Sequence, residues 1–266
     1  LLTERIFRKI FAAADFMQRN VIAVEIEKVI QALTSKHFSR DEFVKKLDHF
    51  YGAIEGAAAT IRDFSQKQTF LNTVYERFFQ GFSVQVADTH GIVYTPQPLV
   101  DFMTASVEHI LKEHFGKSLA DPEVHIFDPF TGTANYVVNL MRRIPASALP
   151  HKYRHELHAN EVMLLPYYVA SMNIEHAYLE AVGRYEPFEG ICLVDTFETI
   201  NGHMAYHGGG ERHEQQDMTF FSQENTKRIN RQKSAPIRVI VANPPYNAGQ
   251  LNENDIVSAM IGRKIE

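Results

Sequence analysis

The sequence predicts an α/β protein: a doubly wound, Rossmann-like core that is cut short after its fourth strand and preceded by an all-α helical domain. Three observations lead there. Apolar residues recur at helical spacing from residue 1 to about 88, with no strand-like run among them. Beyond about residue 94, four short apolar runs alternate with helical stretches, the pattern of a parallel sheet covered on both faces. Each run also ends in polar or turn-forming residues, where an open parallel sheet binds its ligands.

The helical domain (residues 1–88) rests on Ile6, Phe7, Ile10, Phe11 and Ala14, then on Ile22, Ile26, Val29, Ile30 and Leu33. Ser39 to Glu42 has the spacing of a capping box and opens a helix through Phe43 and Leu47; Phe70, Val74, Phe78 and Phe79 mark another. The second domain covers 89–266. Thr95-Pro96 has the form of a helix start, and Leu99, Phe102, Met103, Val107, Ile110 and Leu111 supply that helix's apolar positions. The expected strands are Val124–Phe127, His155–Ala159, Ile191–Val194 and Ile237–Ala242. Helices are expected at Asn135–Arg143, at Val162–Leu179 and from about Ser222 to Lys233. Residues 201–221, polar and rich in glycine, read as a long loop.

Composition narrows the class. The chain has 266 residues, 45% of them hydrophobic, enough for a packed core, yet no stretch approaches the roughly 20 apolar residues of a membrane span. Charges interrupt "LLTERIFRKIF", so it is no signal peptide, and the absence of an initiator Met points to a piece of a longer chain. The single cysteine, Cys192, rules out a disulfide within the chain and fits a reducing cytoplasm. A formal charge of −5 does not advertise a nucleic-acid binder, although binding depends on local patches. Lys227, Arg228, Arg231, Lys233 and Arg238 form such a run, which is either a phosphate-contacting face or a solvated helix face. His203, His207 and His213, with Glu211 and Glu214, match no zinc spacing, so no metal is expected.

The strand ends carry the chemistry. "DPFTGTANY", from Asp128 to Tyr136, places Gly132 in a tight turn before a helix N-terminus, which suits close approach to a ligand. Asn160 and Glu161 follow the second strand, and an acid there can accept both hydroxyls of a ribose. Asp195 follows the third. After the fourth comes Asn243-Pro244-Pro245-Tyr246. The prolines fix φ and hold two acceptors still, the Asn243 side-chain oxygen and the Pro244 carbonyl, while Tyr246 offers a flat face for stacking.

Taken together, residues 90–250 resemble S-adenosylmethionine-dependent adenine-N6 DNA methyltransferases. Within that group they are similar to the coupler and methylase region of large single-chain restriction-modification enzymes that carry a helicase motor. Asn243, Pro244, Pro245 and Tyr246 match the catalytic tetrad. Tyr94, Thr95 and Pro96 match the segment that holds the methionine end of the cofactor. Asp128, Pro129, Phe130 and Gly132 match the cofactor loop, Glu161 the ribose acid, and Asp195 and Phe197 the pair flanking the adenine. Finding the Tyr94 segment first and the tetrad last resembles the gamma ordering. The resemblance implies a double-stranded DNA substrate with one adenine flipped out, and helicase and nuclease modules in the same parent chain. Ala134 stands where the family usually has a second glycine. An alanine fits there if the backbone stays helical, and fits poorly if φ is positive. The chain ends about twenty residues after the tetrad, before the family's remaining strands and target-recognition region. Two rivals stay open: a connector without chemistry between motor and methylase, and a methyltransferase for another planar amide such as protein glutamine.

Overall fold

The computed structural model describes residues 95–197 and 219–245, the helix α1 (Asp48–Ala59) with residues 60 and 61, and single positions at 45, 66, 70 and 73. The expected helices around Ile6 and Ile22, and residues 201–218 of the expected loop 201–221, lie outside the described residues; residues 219–221 are helical instead.

Among the described residues, four parallel strands form one sheet in the order β3-β2-β1-β4. They are β1 (His125–Asp128), β2 (Leu157–Glu161), β3 (Ile191–Leu193) and β4 (Ile237–Ile240). The chain steps outward from β1 to β3 and then returns to the far side of β1 as β4. The order therefore reverses between β1 and β4, and in such sheets the ligand crevice opens beyond the strands' carboxyl ends at that reversal. The helices are α2 (Gln97–Phe115), α3 (Asn135–Arg143), the short α4 (Leu149–His151), α5 (Leu164–Val182) and α6 (Thr219–Ser234).

Strand alternation sorts the core into two faces. Ile126, Leu157, Ile191, Leu193 and Val239 join one large apolar cluster with Val100 of α2, Val137 and Leu140 of α3, and Ile174 of α5. Cys192, on the opposite face of β3, packs with Val194 and Ile229 of α6. Helices thus cover both faces, as a parallel sheet requires. Asn225 of α6 closes the outer edge of β3: its Oδ1 accepts the Leu193 N–H at 2.9 Å and its Nδ2 donates to the Leu193 carbonyl at 2.7 Å. An amide mimics a neighbouring strand there and covers the outward backbone groups of Leu193. Among the described residues no helix is long and apolar enough to cross a membrane.

Several features differ from expectation, three of them informatively. The second strand starts at Leu157 and continues to Glu161, because Lys152–Glu156 form a wide π turn. That turn puts Lys152 and Glu156, each about 1% exposed, into a buried ion pair. Lys152 Nζ also donates to the carbonyls of Asp121 and Val124, and Glu156 accepts the Glu123 N–H, which ties the turn to the start of β1. The first strand shifts by one residue, so Asp128 ends it. In α2 the expected apolar set splits: Leu111 is buried and Met103 and Val107 are half-buried, while Leu99, Phe102 and Ile110 are exposed, and Val100 and Thr104 are buried in their place. The helix carries two overlapping apolar stripes, and packing against α3 uses only one.

Candidate active site

The carboxyl ends of all four strands meet on one side of the sheet. At the end of β1, Asp128 is buried; its Oδ1 accepts the Phe130 N–H at 3.2 Å, and its Oδ2 has no hydrogen-bond partner among the described residues. Burial pushes its pKa up to about 7, against the opposing pull of the Phe130 N–H. Glu161 ends β2 and points its two oxygens at two backbone amides. Oε2 accepts the Gly132 N–H at 2.9 Å and Oε1 the Met163 N–H at 2.8 Å. Burial again dominates and raises its pKa to about 7, with the charge of Asp128 adding to the rise and the amides opposing it. The acid expected just after the second strand is therefore the strand's last residue, and it braces the loop that follows β1.

That loop makes two left-handed turns. Gly132 has φ 55°, and a Cβ built there would meet nothing within 4 Å, so the loop faces open space. Ala134, fully buried, stands at φ 69° and ψ 32°. This is the unfavourable case for alanine: its Cβ crowds the following carbonyl, a strain glycine avoids. The position is held by its N–H bond to the Thr131 carbonyl at 2.7 Å and by Asn173 of α5, which donates to the Thr133 carbonyl at 2.9 Å.

Beyond β3, the Asp195 carboxylate accepts the Phe197 N–H at 2.8 Å, turning that ring against Phe130, with centroids 5.1 Å apart. Thr196 between them stitches three strand ends together. Its hydroxyl donates to the Pro129 carbonyl at 2.7 Å and accepts from Asn160 Nδ2 at 3.0 Å. Beyond β4, Asn243 is half-buried and its Nδ2 donates to the Thr95 hydroxyl at 3.0 Å. These residues lie 148 positions apart in sequence. Thr95 is buried; Pro96 caps the start of α2, its carbonyl accepting from Leu99 and Val100. Pro244 is exposed and Pro245 half-buried. Thr95, Pro96, Asp128, Pro129, Phe130, Gly132, Glu161, Asp195, Phe197, Asn243, Pro244 and Pro245 thus all lie on one rim. Tyr94 and Tyr246 lie outside the described residues.

Set beside known proteins, residues 66–260 match the family model described as N-6 DNA Methylase. The chain belongs to the N-6 DNA methylase family. Three solved structures are similar to it. A DrdV–DNA complex is 39% identical with a TM-score of 0.82, over 96% of this chain and 24% of that one. A nuclease-deletion mutant of the Type ISP restriction-modification enzyme LlaGI, in complex with a DNA substrate mimic, is 37% identical with a TM-score of 0.75, over 96% of this chain and 20% of that one. The ATP-dependent Type ISP enzyme LlaBIII, bound to DNA, is 36% identical with a TM-score of 0.76, over 95% of this chain and 16% of that one. The chain therefore spans a quarter or less of these relatives. No curated protein matches it.

Two readings of this N-6 DNA methylase chain change with the structure in hand. The basic run before the tetrad is not a uniform phosphate face. Arg228 is buried and reaches the Phe188 carbonyl, and Arg231 is held by Glu189, through its carboxylate at 3.1 Å and its carbonyl at 2.7 Å. Sequence reasoning also passed over Thr196 as a contributor to the rim; it sits between Asp195 and Phe197, but a hydroxyl in a short loop carries no periodic signal.

Proposed function

We propose that this chain carries the catalytic core of an S-adenosylmethionine-dependent adenine-N6 DNA methyltransferase, in a restriction-modification enzyme with helicase and nuclease modules elsewhere in the parent chain. The observation that carries this reading is the bond between Asn243 and Thr95, which joins the tetrad to the segment before the sheet across the β1–β4 reversal. The three similar structures all contain DNA or a DNA mimic, one relative is described as ATP-dependent and another had a nuclease to delete. That supports DNA over a glutamine side chain as the acceptor.

The residues present fit the cofactor. Glu161 keeps acceptor capacity on both oxygens after binding its two amides, since each oxygen has a second lone pair for a ribose hydroxyl. The Phe130–Phe197 pair and Asp195 offer an apolar face and an acceptor for an adenine. When bound, the cofactor supplies an electrophilic methyl group. The protein's part is positioning. An adenine amino group is a poor nucleophile because its lone pair is delocalised into the ring. Asn243 Oδ1 and the Pro244 carbonyl accept its two N–H groups and draw the nitrogen toward a tetrahedral shape, and the prolines keep both acceptors still. Tyr246 stacks on the base once it leaves the duplex.

Calorimetric titration with S-adenosylmethionine and single-turnover methyl transfer to unmethylated plasmid DNA, both on the full-length protein, test this. One-site binding that weakens in Glu161→Ala, with transfer abolished in Asn243→Ala, is the expected result. Transfer that survives in Asn243→Ala sinks the catalytic assignment.

A further inference from the structure

Asn160 and Thr196 take no part in the chemistry described above, yet they tie together the loops on which an adenine would rest. The Thr196 hydroxyl lies 2.7 Å from the Pro129 carbonyl oxygen. Two oxygens that close need a proton between them, and a carbonyl has none to give, so the proton belongs to Thr196. Asn160 Nδ2 lies 3.0 Å from the same hydroxyl oxygen. That contact needs a proton as well. The hydroxyl has only one, already committed, so the second comes from the Asn160 amide. The Pro129 carbonyl thereby sets the direction of both bonds and which end of the amide faces Thr196.

The arrangement has a cost. With its nitrogen turned to Thr196, Asn160 Oδ1 has no hydrogen-bond partner among the described residues, in a side chain whose residue is only 2% exposed. A buried acceptor left unpaired destabilises a fold, and an apolar residue of similar size would avoid that. The geometry shows what the asparagine achieves instead. Pro129 precedes Phe130 on the loop after β1, and Thr196 precedes Phe197 on the loop after β3. The Thr196–Pro129 bond therefore links the two loops whose rings stand 5.1 Å apart. Asn160, on β2 between those strands, holds both loops: its carbonyl accepts the Thr131 N–H at 2.9 Å, and its amide anchors the Thr196 hydroxyl. We infer that Asn160 and Thr196 are positioning residues for the cofactor's adenine, fixing the spacing of Phe130 and Phe197 so that the slot for the base is formed before the cofactor enters. The inference deepens the methyltransferase reading and rests on its placing of the adenine against this aromatic pair.

The test uses the full-length protein with Thr196→Val, Thr196→Ser, Asn160→Leu, Phe197→Ala, the Thr196→Val/Phe197→Ala double variant and Glu161→Ala. Calorimetric affinity for S-adenosylmethionine, single-turnover methyl transfer to plasmid DNA at saturating cofactor, and the melting temperature are measured for each. Thr196→Val, which keeps the shape and removes both bonds, is expected to weaken cofactor affinity about tenfold, with transfer at saturation unchanged within about threefold. Thr196→Ser keeps the hydroxyl and restores the affinity. Asn160→Leu is expected to weaken affinity without lowering the melting temperature, since it also removes the unpaired oxygen; it carries the test should Thr196→Val fail to fold. The double variant is expected to bind no more weakly than Phe197→Ala alone, because both changes act through one ring pair. If Glu161→Ala weakens binding while Thr196→Val and Asn160→Leu bind as the wild type does, the inference fails and the methyltransferase reading stands. Losses that add in the double variant, or an Asn160→Leu protein that melts lower and binds normally, mark residues that only hold the fold and also overturn it. A wild-type protein that does not bind S-adenosylmethionine removes the reading itself and the inference with it.

Discussion

Replacing Asp128 with Asn should turn a pH-dependent protein into a flatter one. Asp128 is buried, with one oxygen on the Phe130 N–H and the other without a partner among the described residues. Burial raises its pKa from 3.8 to about 7. The folded state therefore holds the proton more tightly than the unfolded chain does. The stability this carboxyl contributes is fully present below pH 3.8 and is lost as pH rises toward 7. Each pH unit well inside that window costs about 1.4 kcal/mol and less near pH 7, so going from pH 5 to pH 7 removes about 2 kcal/mol. An asparagine has nearly the same shape, can keep the Phe130 bond, and does not titrate. Its neutral side chain also stops raising the pKa of Glu161, which acts in the same direction. Urea unfolding at pH 5, 6, 7 and 8 measures the effect. The variant should gain about 3 kcal/mol on the wild type between pH 5 and pH 8, whatever its offset at pH 5. A difference between the two proteins that stays constant across pH would refute the buried, protonated carboxyl.

Ala134→Gly should change stability by less than about 1 kcal/mol, because relief of about 1–2 kcal/mol of left-handed strain is opposed by glycine's extra chain entropy and the loss of a buried methyl. Ala134→Val should lose at least about 2 kcal/mol in the same urea assay, since a β-branched residue suits neither the φ nor the filled space. Lys152→Met should destabilise by about 3–5 kcal/mol by leaving Glu156 buried without its lysine, with only the exposed His151 ring 3.2 Å away, and a Lys152→Met/Glu156→Gln double variant should recover part of that loss. Additive losses in the double variant would show that the two side chains act separately.

Much of this fold was legible because parallel strands announce themselves. Ile191 to Val194 and Ile237 to Ala242 are short, mostly apolar runs that stop at Asp195 and Asn243, and helical spacing separates them. The rim was legible for a related reason: Asp128, Glu161, Asp195 and Asn243 each end or follow an apolar run, and polarity at that place is a local signal. His155 and Glu156 misled because a π turn has no periodicity of its own. It forms so that Lys152 can reach carbonyls about thirty positions earlier. Leu99 and Phe102 misled because the spacing of one helix says which residues share a stripe, and says nothing of which stripe its neighbour covers.

By itself, then, the sequence determined the elements, their alternation and the residues offered at the strand ends, since these follow from periodicity and backbone chemistry within a few residues. Only the tertiary structure decided that Ala134 takes a left-handed backbone and that Glu161 braces the Gly132 turn. It alone decided that Arg228 is buried, and that Asn243 meets Thr95. Each of these depends on contacts between residues far apart in the chain, and distance in space is what a linear pattern cannot carry.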